Sequence, residues 1–242
     1  MSAQKPTIKY VLTDIEGTTS DIAFVHEVLF PYASEHLPQY IREHHSLPEV
    51  RTQLKAVAIE SGVESDDLET LIGVLLEWIR TDQKVTPLKV LQGQIWRHGY
   101  QEGHFKGHLY EDAFEALTQW AHDGLSLGVY SSGSVEAQKL LFGYSVFGDL
   151  THLFSEHFDT QIGHKREMDS YLRIADELIN HDRVSSNAEI LFLSDVVAEL
   201  DAAKAAGMLS CELRRDQASP AAHHLSVMSF TELKHMFKLT SP

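Results

Sequence analysis

Three polar segments in this chain each end an apolar run, and their residue types suit phosphate chemistry. Asp14-Ile15-Glu16-Gly17-Thr18-Thr19 follows Tyr10–Thr13, Ser131-Ser132-Gly133 follows Leu125–Tyr130, and Ser194-Asp195 follows Ile190–Leu193. Residues two apart in an extended segment point the same way, so Asp14 and Glu16 face a common point. A carboxylate placed there can attack phosphorus and form an aspartyl-phosphate. A second carboxyl group can protonate the leaving oxygen and later deprotonate the attacking water. Two carboxylates facing a phosphate dianion need a counterion; magnesium, with its preference for oxygen ligands, suits that need, and Asp195 is a natural third donor. The hydroxyls of Ser131 and Ser132, with turn N–H groups around Gly133, can cradle a phosphate. Lys165, in Gly163-His164-Lys165, supplies a cation. Taken singly, each feature has a plainer use: a solvated strand end, a helix cap or a surface lysine.

Composition narrows the field. The 242 residues suffice for one large α/β domain or for a core with a smaller insert. Lys plus Arg number 20 against 35 Asp plus Glu, a formal charge of −15. Such a surface disfavours nucleic acid and anionic lipid, so neither is expected as a partner. It also repels a phosphorylated metabolite, which means that any phosphate site must concentrate cations locally. No run approaches the roughly 18–20 apolar residues of a membrane span, and Met1–Lys9 lacks a signal-peptide core. The single cysteine, Cys211, excludes an internal disulfide and points to the cytoplasm.

The elements that must position these groups read as alternating strand and helix. A fourth apolar run, Met208–Leu213, follows Gly207, while Val135–Leu141 and Ala198–Ala206 read as helices. Ser229-Phe230-Thr231-Glu232 matches a capping box. Alternation of this kind implies a mainly parallel sheet, with ligands bound beyond the carboxyl ends of its strands. From residue 22 to 107 the periodicity is helical throughout; Leu68, Leu71, Ile72, Leu75, Leu76 and Ile79 make one apolar face. We therefore expect an α/β catalytic core from residues 1–21 and 108–242, and a helical cap from 22–107. Gly99, Gly103 and Gly107 would suit a flexible return to the core or be ordinary loop glycines. The adjacent pairs His44-His45 and His223-His224 lack the spacing of a helical zinc site.

In order along the chain, Asp-x-Glu, Ser, Lys and Asp resemble the motif series of the haloacid dehalogenase superfamily. The likeness is closer still to the acireductone synthases, the enolase-phosphatases of methionine salvage. It is carried by Asp14–Thr19, by Tyr130–Gly143, by His157-Phe158-Asp159-Thr160 through Lys165, and by Ile22-Ala23-Phe24-Val25 with Leu29-Phe30-Pro31-Tyr32. The resemblance implies a Rossmannoid core with an inserted α-helical cap, a magnesium cofactor, and a monomer. It implies that Asp14 is nucleophile and metal ligand, and that Glu16 is acid/base with its carbonyl on the metal. By the same resemblance Ser131 and Ser132 contact the substrate phosphate, Lys165 neutralises the phosphoryl group, and Asp195 completes the metal carboxylates. Glu199, one helical turn further on, either orients Lys165 or faces solvent. Most superfamily phosphatases carry Asp where Glu16 stands; Glu is similar to the enolase-phosphatase pattern itself. The implied reaction enolises a 2,3-diketo-5-methylthiopentyl 1-phosphate and then dephosphorylates it. Glu16 and a side chain of the helical insert are both candidates for moving the carbon-bound proton. Another phosphatase or phosphomutase on the same scaffold is the alternative.

Overall fold

The computed structural model describes residues 5–63, 67–215 and 224–239, so that His223 lies outside the described residues. The chain divides into two compact units, Met1–Ile22 with Gly107–Pro242 and the single span Ala23–Lys106.

The first unit is built on parallel strands: β1 (Thr7–Ile8), β2 (Tyr10–Thr13), β3 (Ser126–Tyr130), β4 (Glu156–Phe158), β5 (Ile190–Ser194), β6 (Leu209–Leu213), β7 (Ser226–Val227) and β8 (Lys238–Leu239). Among the described residues, six of them form a sheet in the order β4-β3-β2-β5-β6-β7, and β1 pairs with β8 separately. A parallel strand covered on both faces reads as a near-continuous apolar run, and β2 and β5 are buried along their whole length. Thr13 lies opposite Val129 on one side and Leu193 on the other. The three strands therefore end together. From β2 the chain moves outward to β3 and β4, then returns to the far side of β2 as β5. Such a reversal opens a crevice beyond the strand ends.

The second unit is helical: α1 (Ile22–Phe24, at the boundary), α2 (Phe30–His44), α3 (Pro48–Ser61), α4 (Leu68–Arg80) and α5 (Thr86–Gln101). Prolines in the first turns of α3 and α5 cost no hydrogen bond, and Asp67 caps α4 by accepting from Thr70 N at 2.9 Å. Residues at three- and four-residue spacing form its own core. Ala33, Leu37 and Ile41 meet Val50, Leu54, Leu71, Leu75, Leu88 and Leu91 there. Trp96 belongs to this packing, donating its indole N–H to Leu29 O at 2.8 Å. Two of the three glycines near the end of the insert have tighter duties than flexibility, while Gly103 has open space around it. A Cβ on Gly99 would come 2.6 Å from the Phe105 ring, and one on Gly107 would meet the Leu141 carbonyl.

Helices α6 (Glu111–His122), α7 (Val135–Gly143), α8 (Met168–Asn180), α9 (Val197–Ala205) and α10 (Leu233–Met236) belong to the first unit. Tyr171, Ile174 and Leu178 of α8, with Leu200 and Ala203 of α9, pack on Tyr10, Leu12 and Phe192. Ser134 caps α7 through Ala137 N. The capping box expected at Ser229 is replaced by other contacts, Glu232 Oε1 accepting from Met228 N and from Ser229 Oγ, both at 3.2 Å. Ser229 caps no backbone N–H, because Phe230–Glu232 forms a 3₁₀ turn whose first amide, Phe230 N, goes to Asp112 Oδ2.

Candidate active site

Asp14 is the first residue beyond β2 and is 3% exposed. Its amide continues the ladder to Leu193 O at 2.9 Å. Past it the chain turns sharply: Thr18, Thr19 and Ser20 all donate to Ile15 O, and Gly17 N donates back to Ser20 O. Within this turn Asp14 Oδ1 accepts from Ile15 N at 2.8 Å. The same oxygen meets Lys165 Nζ at 2.6 Å, and Nζ also reaches Glu199 Oε2 at 2.7 Å. Lys165 is held from behind, since Tyr171 donates to its carbonyl at 2.7 Å and Nζ lies 5.7 Å from the Tyr130 ring centroid. Glu199, in the first turn of α9, is thus buried against Lys165 and does not face solvent.

Glu16 points to the end of β3. Its Oε2 accepts from Ser131 Oγ at 3.1 Å, and Ser131 Oγ also receives Gly133 N at 3.0 Å. Ser132 stands exposed in the same turn. Asp195 follows β5; its amide donates to Thr18 Oγ1 at 3.1 Å. Its carboxylate lies against Gly17, where φ is +73° and a Cβ would come 2.6 Å from Asp195 Cγ. Asp14, Lys165 and Glu199 are therefore in direct contact, Glu16 and Ser131 form a second contact, and Asp195 joins through the turn.

Four carboxyl groups share one buried ammonium. Burial first, and the charge of Asp14 second, push Glu16 up, Asp195 to about 6 and Glu199 to about 7. Burial works against the Lys165 ammonium, but the carboxylates of Asp14 and Glu199 outweigh it and raise its pKa. The imbalance fits a hard divalent cation, which oxygen donors bind and which would restore neutrality. Asp14, Asp195 and the Glu16 carbonyl are the donors in question. The side-chain-free edge at Gly17 keeps Asp195 against the turn that carries the other two.

Comparison with known proteins identifies the family. The family model described as haloacid dehalogenase-like hydrolase matches residues 8–207. Enolase-phosphatase E1 of Pseudomonas aeruginosa (strain UCBPP-PA14) is 55% identical over 94% of this chain and 98% of its own. The chain belongs to the enolase-phosphatase E1 family of haloacid dehalogenase-like hydrolases. The Azotobacter vinelandii member is 52% identical over 94% of the chain and 97% of its own. Among solved structures, the UTR4 protein of Saccharomyces cerevisiae superposes with TM-score 0.75 at 33% identity, covering 92% of this chain and 98% of that one. YfnB of Bacillus subtilis shares the fold at TM-score 0.56 and 14% identity, covering 95% and 98%.

Several residues that shape this E1-family site were not singled out from sequence. Ser194 Oγ lies 3.0 Å from Glu199 Oε2 and 3.3 Å from Asp14 Oδ2. Gln138, 1% exposed, donates to Gly133 O at 3.0 Å and Phe158 O at 2.7 Å, bracing the serine turn. Asp159 accepts from Val135 N and Gln161 N in the same region. Of these, Ser194 carried a usable signal, a polar residue at the end of an apolar run, whereas Asp159 follows the short β4, which the pattern does not show. Gln138 sits in mid-helix and carried none.

Proposed function

We propose that the protein is a magnesium-dependent acireductone synthase. It would convert 2,3-diketo-5-methylthiopentyl 1-phosphate to 1,2-dihydroxy-3-keto-5-methylthiopentene and phosphate, by enolisation and then hydrolysis through an aspartyl-phosphate. The carrying observation is the buried Asp14–Lys165–Glu199 contact beside Glu16–Ser131, in a chain 55% identical to an enolase-phosphatase E1.

Asp14 attacks phosphorus, and the bond between phosphorus and the substrate oxygen breaks with its electrons on that oxygen. Glu16, raised by burial and by Asp14, holds the proton that the leaving oxygen needs. As a carboxylate, Glu16 then takes a proton from the water that attacks the aspartyl-phosphate. Phosphate leaves, and Asp14 and protonated Glu16 are restored. Lys165 fixes one oxygen of Asp14 and offsets the negative charge of the phosphoryl group. Ser131 and Ser132 hold the phosphate, Ser131 also orienting Glu16. Asp14, the Glu16 carbonyl and Asp195 would hold magnesium, which when bound neutralises phosphoryl charge and polarises substrate oxygens.

We assign residues 1–21 and 108–242 to catalysis and the helical residues 22–107 to substrate specificity. Among the described residues no helix is long and apolar enough to cross a membrane. The reading makes the protein a cytoplasmic monomer, with a small phosphorylated diketone as its partner and neither nucleic acid nor membrane. Light scattering checks the monomer.

The test follows phosphate release and enol absorbance together, with magnesium and the diketone phosphate. Both are expected, and a chelator should abolish them. Asp14→Asn should cost roughly 10⁴-fold or more in kcat. Phosphate release from other esters with no turnover of the diketone would leave a phosphatase or phosphomutase of another substrate.

A further inference from the structure

Arg215 lies just beyond β6, far in sequence from the catalytic turn, yet its guanidinium is spent on that turn. Nη2 and Nε both donate to Thr18 O, at 2.7 and 3.1 Å. Nη1 spans the two oxygens of Asp112 at 2.8 and 3.0 Å. The plane lies 4.1 Å from the Tyr110 ring centroid and 5.3 Å from that of Phe230. Asp112 is itself fixed by Phe230 N at 2.8 Å, and Tyr110 N donates to Thr19 O at 2.9 Å. Only a planar fork serves a carbonyl and a carboxylate at once while stacking on an aromatic face.

Thr18 is buried completely and is engaged at two atoms. Its carbonyl receives Arg215, and its hydroxyl receives the amide of Asp195 at 3.1 Å. Glu16 lies two residues before it. We propose that Arg215 is a positioning residue for the metal-binding edge: it holds Thr18, and Thr18 holds Asp195 and the Glu16 carbonyl in register with Asp14. This rests on the functional reading above, in which those three groups are the metal donors. Arg215 touches none of the reacting atoms. Its effect should therefore appear in metal affinity and not in recognition of the ester.

The test compares wild type, Arg215→Lys, Thr18→Val and the double variant. Calorimetric titration with magnesium alone, thermal melts without metal, and steady-state kinetics are measured for each. Outer partners of metal ligands typically contribute roughly 10- to 100-fold in affinity, so each single variant should bind magnesium that much more weakly. The double variant should lose little beyond either single one, because both act through Thr18. Excess magnesium should restore most of kcat, with KM for the ester within about twofold of wild type. Thr18→Val keeps the carbonyl and the side-chain shape, so it carries the test if Arg215→Lys fails to fold. A folded Arg215→Lys with unchanged magnesium affinity and only a lowered melting temperature would overturn the proposal. So would additive losses. A wild-type protein that neither binds magnesium nor hydrolyses the ester would instead remove the functional reading beneath it.

Discussion

Replacing Gly17 by alanine tests the geometry of the site with a single methyl group. The residue has φ of +73°, a conformation that costs an L-residue roughly 1–2 kcal/mol. The larger consequence is steric. The new Cβ would lie 2.6 Å from Asp195 Cγ and 3.1 Å from Oδ1, and nearer still to Oδ2. Because the carboxyl carbon itself is too close, turning the carboxylate about its own axis gives no relief. Ordinary carbon contacts lie at about 3.5–4.0 Å, so Asp195 or the turn must retreat by about 1 Å. A displacement of that size at a reacting centre costs about 100-fold in rate. Urea denaturation should therefore show a modest loss, about 1–2 kcal/mol, while kcat/KM falls about 100-fold and the magnesium requirement rises. An alanine enzyme with wild-type kcat/KM at wild-type magnesium would refute the placement of Asp195 beside this turn.

Lys165→Met removes an ammonium lying 2.6 and 2.7 Å from two buried carboxylates and should cost about 3–5 kcal/mol at pH 8. Glu199 already sits at about 7, above its unfolded value. The native state thus binds more protons than the unfolded state, and stability rises as pH falls through that window. The loss should be smaller at pH 6, and equal losses in urea at both pH values would contradict it. His157 behaves oppositely: burial lowers it from 6.5 to about 4, so the unfolded state binds more protons between those values. Stability should drop as pH falls from 6.5 towards 4, and His157→Gln should flatten that drop in urea melts. Gln138→Leu strips donors from Gly133 O and Phe158 O and should cost about 1–3 kcal/mol. Inhibition by inorganic phosphate should weaken while magnesium affinity holds, as an inhibition assay would register.

The strands that carry the site were legible because a buried parallel strand is a short apolar run with a polar stop. Tyr10–Thr13 and the end of β3 at Tyr130 are found where the pattern put them. β4 was not, because Glu156-His157-Phe158 is three residues long with two polar positions at the sheet edge. β7 is shorter still. Asp14, Glu16, Ser131, Lys165 and Asp195 stood out by type and order. The residues that hold them did not. Thr18, Gln138 and Arg215 act through backbone carbonyls and amides, and such partners leave no trace in spacing. The link from Arg215 to Thr18 crosses almost the whole chain, and only the folded sheet brings its ends together.

The helical unit Ala23–Lys106 interrupts the chain just after β2, the strand on which β3 and β5 both pair. On a ribosome, β2 emerges before every other strand of its six-stranded sheet and has no partner until the insert and α6 have followed. Its two neighbours arrive only with the second half of the chain. The insert, however, has a core of its own. Once folded it reduces the free chain between β2 and β3 about fourfold, lowering the closure cost by about 1 kcal/mol. Local helical contacts also form faster than long-range parallel pairing. The same segment that separates the strand leading to Asp14 from its partners thus becomes, when it folds first, the tether that brings them within reach.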